Sequence, residues 1–287
     1  MPFFSPERIL CAVDLSAASS SVIQWAGLFA SAYESRLEIL HAEAFEYPPY
    51  FLPSQEQALA ADAERRRAAA YKQVALLGDE NLESVLPDIL VVEGHPVPVI
   101  LERVANEHPG LVVMGSHGRS GIARMRLGSV AETVVREAGV PALVVRTVRE
   151  KRERATISRV LCPVTFAEHA RQSLTVASEI AAKFTAQLIV IHAVEREDEN
   201  MAAIRNRLCQ WIPKNVRQSC DMVELARRGN AEEEILRMAR EHAADLIVIG
   251  ARHHPLLEFT TFGATTERVM RHADAPVLVL PESEEKA

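Results

Sequence analysis

Gly115, Gly118 and the pair Gly128-Ser129 fall in the order glycine, two residues, glycine, nine residues, glycine-serine, and this is the stretch of the chain best suited to hold a phosphate. Glycine lacks a Cβ, so backbone N–H groups at these positions can approach an anion closely. Apolar residues resume at helical spacing after Ser129, at Val130, Val134, Val135 and Ala138. A helix starting there turns its unpaired N–H groups and the positive end of its dipole back toward the loop. The loop carries Arg119, Arg124 and Arg126 and no acid, which suits a polyphosphate. Its spacing is neither the Gly-x-Gly-x-x-Gly of dinucleotide sites nor the P-loop, which ends in Gly-Lys-Ser/Thr.

The elements that must position this loop alternate. Ile9–Val13 reads as a buried strand ending at Asp14, with Ser16 and Ser19–Ser21 available to cap a helix that runs to about Tyr33. Leu37–Ala42 is a second strand. Tyr47–Pro53 has three prolines in seven residues and cannot be regular structure. A long Ala/Arg/Glu/Gln helix is expected over roughly Ser54–Leu77, where Arg65-Arg66-Arg67 reads as a solvated face rather than a phosphate patch. Ile89–Val92, a helix over Val97–Glu107, Leu111–Met114 and Ala142–Val145 complete the series.

The pattern then repeats. Ile9-Leu-Cys-Ala-Val13 matches Val160-Leu-Cys-Pro-Val164 and Leu37–His41 matches Leu188–His192, both displaced by 151 residues, whereas Gly94, Gly115 and Pro141 match Gly229, Gly250 and Pro276 at a displacement of 135. The chain is an internal duplication whose first copy holds an insertion of 16 residues between His41 and Gly94. That insertion is either a flap over the ligand crevice or a longer connection. Strands separated by helices imply a parallel sheet covered on both faces, so each copy is expected to be a doubly wound α/β domain, residues 1–150 and 151–287. The charged segment Val148–Arg154 is too short a linker to let the two domains wander.

Composition narrows the function classes. Hydrophobic residues make up 48% and charged residues 25%, as in a globular protein with full cores. The net charge of −7 is shared evenly, with 16 basic and 20 acidic side chains up to residue 154 and 16 and 19 beyond it, so neither copy is a basic arm and no nucleic-acid partner is expected. No apolar run approaches the ~18 residues of a membrane span and the N-terminus lacks a secretion signal, so a cytoplasmic location without a membrane partner is expected. Cys11 and Cys162 lie within apolar strands and read as buried side chains.

With its nine-residue interval and Gly-Ser, the loop resembles the nucleotide-binding motif of the universal stress protein family, and both copies resemble domains of that family over nearly their whole length. The resemblance implies strand order 3-2-1-4-5 and domains paired through their last strands as an intramolecular pseudo-dimer, with a homodimer as a further arrangement. It also implies ATP, alone or with Mg, as ligand, with ADP, AMP or a cyclic nucleotide as competitors. By that resemblance Asp14 contacts adenine or ribose, Ala42 frames the base through its backbone, and Gly115, Gly118, Gly128 and Ser129 hold phosphates. The candidate set is completed by Ala12, Val13, Met114, His117, Arg119 and Val130.

The second copy departs at each of these places. Thr165 replaces Asp14, His253 stands at Gly118, and Gly263-Ala264 replaces Gly128-Ser129; its loop carries Glu258 and no arginine over residues 254–262. Each charged phosphate contact is worth roughly 1.5–3 kcal/mol, so one nucleotide is expected, in the first copy. Asp14 is alternatively a helix cap, and His117 alternatively an idle surface histidine. His253, His254 and His242 lack the spacing of a metal site. Phe259 and Phe262 fit either a partner surface or the core. No acid sits in the glycine loop to hold a metal for phosphoryl transfer, so a regulatory or sensor role is favoured over a slow ATPase, an adenylate-forming enzyme or a nucleotide-free interaction module.

Overall fold

The computed structural model describes residues 3–44, 53–116, 127–146, 155–251 and 263–281, without the side chains of residues 53–57 and 169. Within it, Ile9, Cys11 and Val13 face one way from the first strand and Leu10 the other, and all four are buried. A strand apolar on both faces needs cover on both. That requirement shapes both copies.

The first copy runs β1 (Arg8–Val13), α1 (Ser19–Tyr33), β2 (Arg36–Glu43), α2 (Pro53–Asn81), β3 (Asp88–Glu93), α3 (Pro96–Glu107), β4 (Leu111–Gly115), α4 (Ser129–Glu137) and β5 (Ala142–Val145). The second runs β6 (Arg159–Pro163), α5 (His169–Phe184), β7 (Gln187–Val194), α6 (Met201–Trp211), α7 (Lys214–Ser219), β8 (Met222–Arg228), α8 (Ala231–Glu241), β9 (Leu246–Gly250), α9 (Ala264–His272) and β10 (Val277–Leu280). Helices α1, α2, α5, α6 and α7 supply one buried layer. Helices α3, α4, α8 and α9 supply the other.

The ten described strands form one sheet in the order β3-β2-β1-β4-β5-β10-β9-β6-β7-β8. Each copy therefore has the expected order 3-2-1-4-5, parallel throughout. The copies join through their last strands, antiparallel, with Val144 opposite Val277 and Leu143 opposite Leu278. The pairing is intramolecular. Side chains reinforce it: the Arg146 guanidinium donates to the Arg271 carbonyl at 2.9 Å, and the Phe3 and Phe4 N–H groups donate to the Glu179 carboxylate, each at 2.8 Å. The linker at 148–154 lies outside the described residues.

The duplication extends to backbone detail. Helices α1 and α5 both end on a left-handed residue, Glu34 at φ 55° and Thr185 at φ 53°. Gly94 and Gly229 follow β3 and β8 at φ +148° and +147°, a conformation open to glycine but strained for other residues. The copies differ where the insertion falls: α2 has 29 residues and runs a turn past the predicted Leu77, whereas the second copy has the shorter pair α6 and α7. Gly78 lies within α2, which continues to Asn81. Pro53 belongs to the helix rather than to the loop before it, at a first-turn position where proline is tolerated. Residues 45–52 are outside the described residues, and with them the question of a flap.

Candidate functional site

A doubly wound sheet opens a crevice where neighbouring strands send their connections to opposite faces, at the strands' carboxyl ends. Here that point lies between β1 and β4, which pair with Ala12 opposite Met114. A cleft of about 340 Å³ occupies it. Ala12, Val13 and Asp14 come from the end of β1, Ala42 from β2, and Met114 and Gly115 from β4. Gly128, Ser129 and Val130 close it from the start of α4. Nine of the twelve candidate residues thus share one cleft; the other three, His117, Gly118 and Arg119, lie outside the described residues, as do Arg124 and Arg126.

The start of α4 gives the cleft polar character. Gly128 has extended backbone (φ −65°, ψ 141°), its N–H donates to the Ser116 carbonyl at 2.8 Å, and its carbonyl accepts from Glu132. Among the described residues no side chain caps the helix, which leaves its first-turn N–H groups for another acceptor.

Asp14 is not the cap of α1. The N-cap position is Ala18, without a side-chain bond, and Ser19 to Ser21 lie inside the helix. The Asp14 Oδ1 instead accepts from the Ser16 N–H at 3.0 Å and the Ser19 hydroxyl at 3.3 Å, which fixes the turn leaving β1 and holds the carboxylate at the cleft. Leu15 within this turn sits at φ 60°, a strained value for a leucine.

The structure adds residues that spacing did not reveal. Ser19 and Val22 of α1 and Pro96 and Ile100 of α3 also line the cleft, brought there by helices on opposite faces of the sheet. His41, only 1% exposed, lines it as well. Its Nδ1 lies 2.8 Å from the Val13 carbonyl and its Nε2 3.0 Å from a Glu43 carboxylate oxygen. A carbonyl only accepts, so Nδ1 donates and ties the end of β2 to the end of β1. His192 repeats the bond, its Nδ1 2.9 Å from the Val164 carbonyl. The matched histidines were visible in the repeat; their bond was not.

The second copy has the corresponding cleft, of about 550 Å³. Thr165 takes the place of Asp14, and its hydroxyl accepts from the Ala167 N–H at 3.4 Å as Asp14 accepts from Ser16. The turn is kept and the charge is gone. Ala170, Ser173, Ala231, Ile249 and Ala264 stand where the first cleft has Ser19, Val22, Pro96, Met114 and Ser129. The loop 252–262, with His253 and His254, lies outside the described residues, while His242 ends α8 and offers its carbonyl to Arg159. Arg65 is exposed and pairs with Asp62, as on a solvated face, but Arg66 and Arg67 line a shallow depression with Glu43 and Glu93 at the ends of β2 and β3.

The family model described as the universal stress protein family matches residues 6–146 and 221–281. The chain belongs to the universal stress protein family. A universal stress protein of Thermus aquaticus is 34% identical over 142 residues, which is 49% of this chain and 98% of that one. One from Mycobacterium tuberculosis is 25% identical over 295 residues, covering 96% of this chain and 97% of the other. The crystal structure of a universal stress protein from Archaeoglobus fulgidus has the same fold, with a TM-score of 0.69 at 22% identity, covering 98% of this chain and all of that one. No described helix is long and apolar enough to cross a membrane.

Proposed function

We propose that this universal stress protein is a cytoplasmic regulatory protein that binds one adenine nucleotide, ATP in the first instance, in its first copy. In this reading residues 1–150 form the nucleotide-binding domain and residues 151–287 its degenerate partner. The observation that carries it is the convergence of Asp14, Ala42, Gly115 and Ser129 on one cleft at the switch point of the first half-sheet.

Each group has a task that its chemistry supports. The backbone at Ala42, with Val13 and Met114, frames the base. Asp14, held by Ser16 and Ser19, accepts from ribose hydroxyls. The open N–H groups of α4 meet phosphate oxygens, helped by the glycines and arginines of the loop. These parts bind and orient.

Ligand binding here would be felt at the seam between copies. β4 carries Gly115 at the cleft, β5 is its neighbour, and β5 pairs with β10. A nucleotide at a hundredfold excess over its Kd stabilises the form that binds it by about 2.7 kcal/mol, enough to bias a marginal arrangement. Calorimetric titration with ATP tests the reading: one equivalent per chain is expected, abolished by Ala42→Trp. Zero or two equivalents would refute it.

A further inference from the structure

Both ends of the glycine loop are held by the last strand of the first copy. Gly115 lies opposite Val145 in the parallel pairing of β4 with β5. The Ser116 N–H then donates to the Val145 carbonyl at 2.8 Å, and the Ser116 carbonyl accepts from Gly128 at 2.8 Å, one residue before α4. The start of the loop and the helix start that follows it are therefore registered on the end of β5.

The next residue leaves the first copy. Arg146 reaches across the seam, and its Nη1 donates to the carbonyls of Arg271 at 2.9 Å and Ala273 at 3.3 Å, at the C-terminal end of α9. The last carbonyls of a helix lack partners within it and carry the negative end of its dipole, which suits a guanidinium. The anchor is itself fixed. Val269, Met270 and Ala273 are buried, and Glu232 of α8 lies 3.2 Å from Arg268 and 3.0 Å from His272.

The duplication supplies a control. Ala251 repeats the bond of Ser116, its N–H donating to the Leu280 carbonyl at 2.8 Å. In place of Arg146, however, stands Pro281, which has neither an N–H nor a side-chain donor to send to the end of α4. At this position the arm exists in the first copy alone.

We infer, on the basis of the nucleotide site proposed above, that Arg146 is a positioning residue for the phosphate end of the first cleft, and that the second copy takes part in nucleotide binding by anchoring it through α9. Backbone N–H groups bind a phosphate well when they are held in place before it arrives. Asp14 and Ala42, which face the nucleoside in this reading, belong to the ends of β1 and β2, separated from β5 by β4. Loosening the end of β5 therefore affects the phosphates and spares the nucleoside.

Calorimetric titration of the full chain with ATP and with adenosine tests this. Arg146→Met, of similar reach without a donor, should weaken ATP by about tenfold or more and adenosine by less than about twofold. Arg146→Lys, a single point donor, should fall between the two for ATP. Arg240→Met removes the Arg240–Asp274 pair beside the same helix end and should leave both ligands unchanged. Hydrogen exchange of the unsubstituted chain gives a second measurement: ATP, and not adenosine, should slow the amides of residues 268–273. ATP affinity unchanged by Arg146→Met would overturn the inference, as would equal losses for the two ligands, or exchange in α9 indifferent to ATP. An unsubstituted chain that binds no ATP would instead refute the proposed function, and the inference with it.

Discussion

Tyr33 and Phe184 occupy equivalent positions of the two copies, 151 residues apart, and they meet edge-on with ring centroids 6.4 Å apart. The pseudo-two-fold relation between the copies passes close to this pair. Phe29 approaches Phe184 at 5.7 Å and Phe4 approaches Tyr33 at 5.5 Å, so one aromatic cluster is built from both copies on the face opposite α4 and α9. Its loss should be felt by the whole chain. Phe184 is half-buried, so Phe184→Ala is expected to lower unfolding stability by about 2–3 kcal/mol, below the loss for a fully buried Phe, in a urea titration. A loss below about 1 kcal/mol would show that the cluster does not join the copies.

Asp14 and Thr165 make the same turn with different charge, which allows a matched pair of substitutions. Asp14→Asn keeps an acceptor for Ser16 and removes the charge. A charged hydrogen bond is worth about 1.5–3 kcal/mol, so ATP affinity should fall by roughly 10- to 100-fold. Thr165→Val should leave ATP affinity unchanged. Equal effects from both would mean that the copies share the nucleotide.

Gly94 and Gly139 both have positive φ, at +148° and +63°, but a Cβ on Gly94 would lie 2.9 Å from Val99, whereas one on Gly139 meets nothing within 4 Å. Gly139→Ala should therefore cost only the backbone term, about 1–2 kcal/mol, and Gly94→Ala more than that. Thermal unfolding of the two variants side by side decides it. The reverse ranking would count against the close approach of α3 to the turn after β3.

Burial pushes the Cys11 and Cys162 thiols well above their ordinary 9.0. The unfolded chain releases these protons near pH 9 while the folded chain retains them, so folded stability is fully present below pH 9 and falls as pH rises beyond it. Each thiol contributes at most about 1.4 kcal/mol per pH unit in that window. Thiol-reagent labelling at pH 8 should accordingly find Cys209, which is exposed, and spare Cys11 and Cys162 until the protein unfolds. Rapid labelling of either buried thiol in the native state would contradict the packing of β1 and β6.

Much of this architecture was legible because duplication makes a sequence its own reference. The paired runs at 9–13 and 160–164 marked β1 and β6, and the shift from 151 to 135 located the insertion before either copy was folded. Strand order was another matter. Hydrophobic runs show that strands exist but not which neighbours they take, so the order came from family resemblance alone. At the cleft, residues at strand ends and in the glycine motif carried local signals. Ser19, His41, Pro96 and Ile100 did not, since each reaches the cleft through a helix register or a hydrogen bond between strands that no local pattern records. Asp14 was ambiguous for the same reason: an acid after a strand can cap or bind, and only the position of Ala18 excluded the cap.

The antiparallel seam between β5 and β10 has a consequence for how the pairing of the copies depends on concentration. Two halves on one chain hold each other at an effective concentration set by the linker, in the millimolar range for short tethers, whatever the number of copies in the cell. A pair assembled from separate chains would tighten as expression rose, mixing abundance with ligand level. Joined in one polypeptide, the copies keep the same pairing at any abundance, and each is free to change its residues without having to recognise itself in a partner.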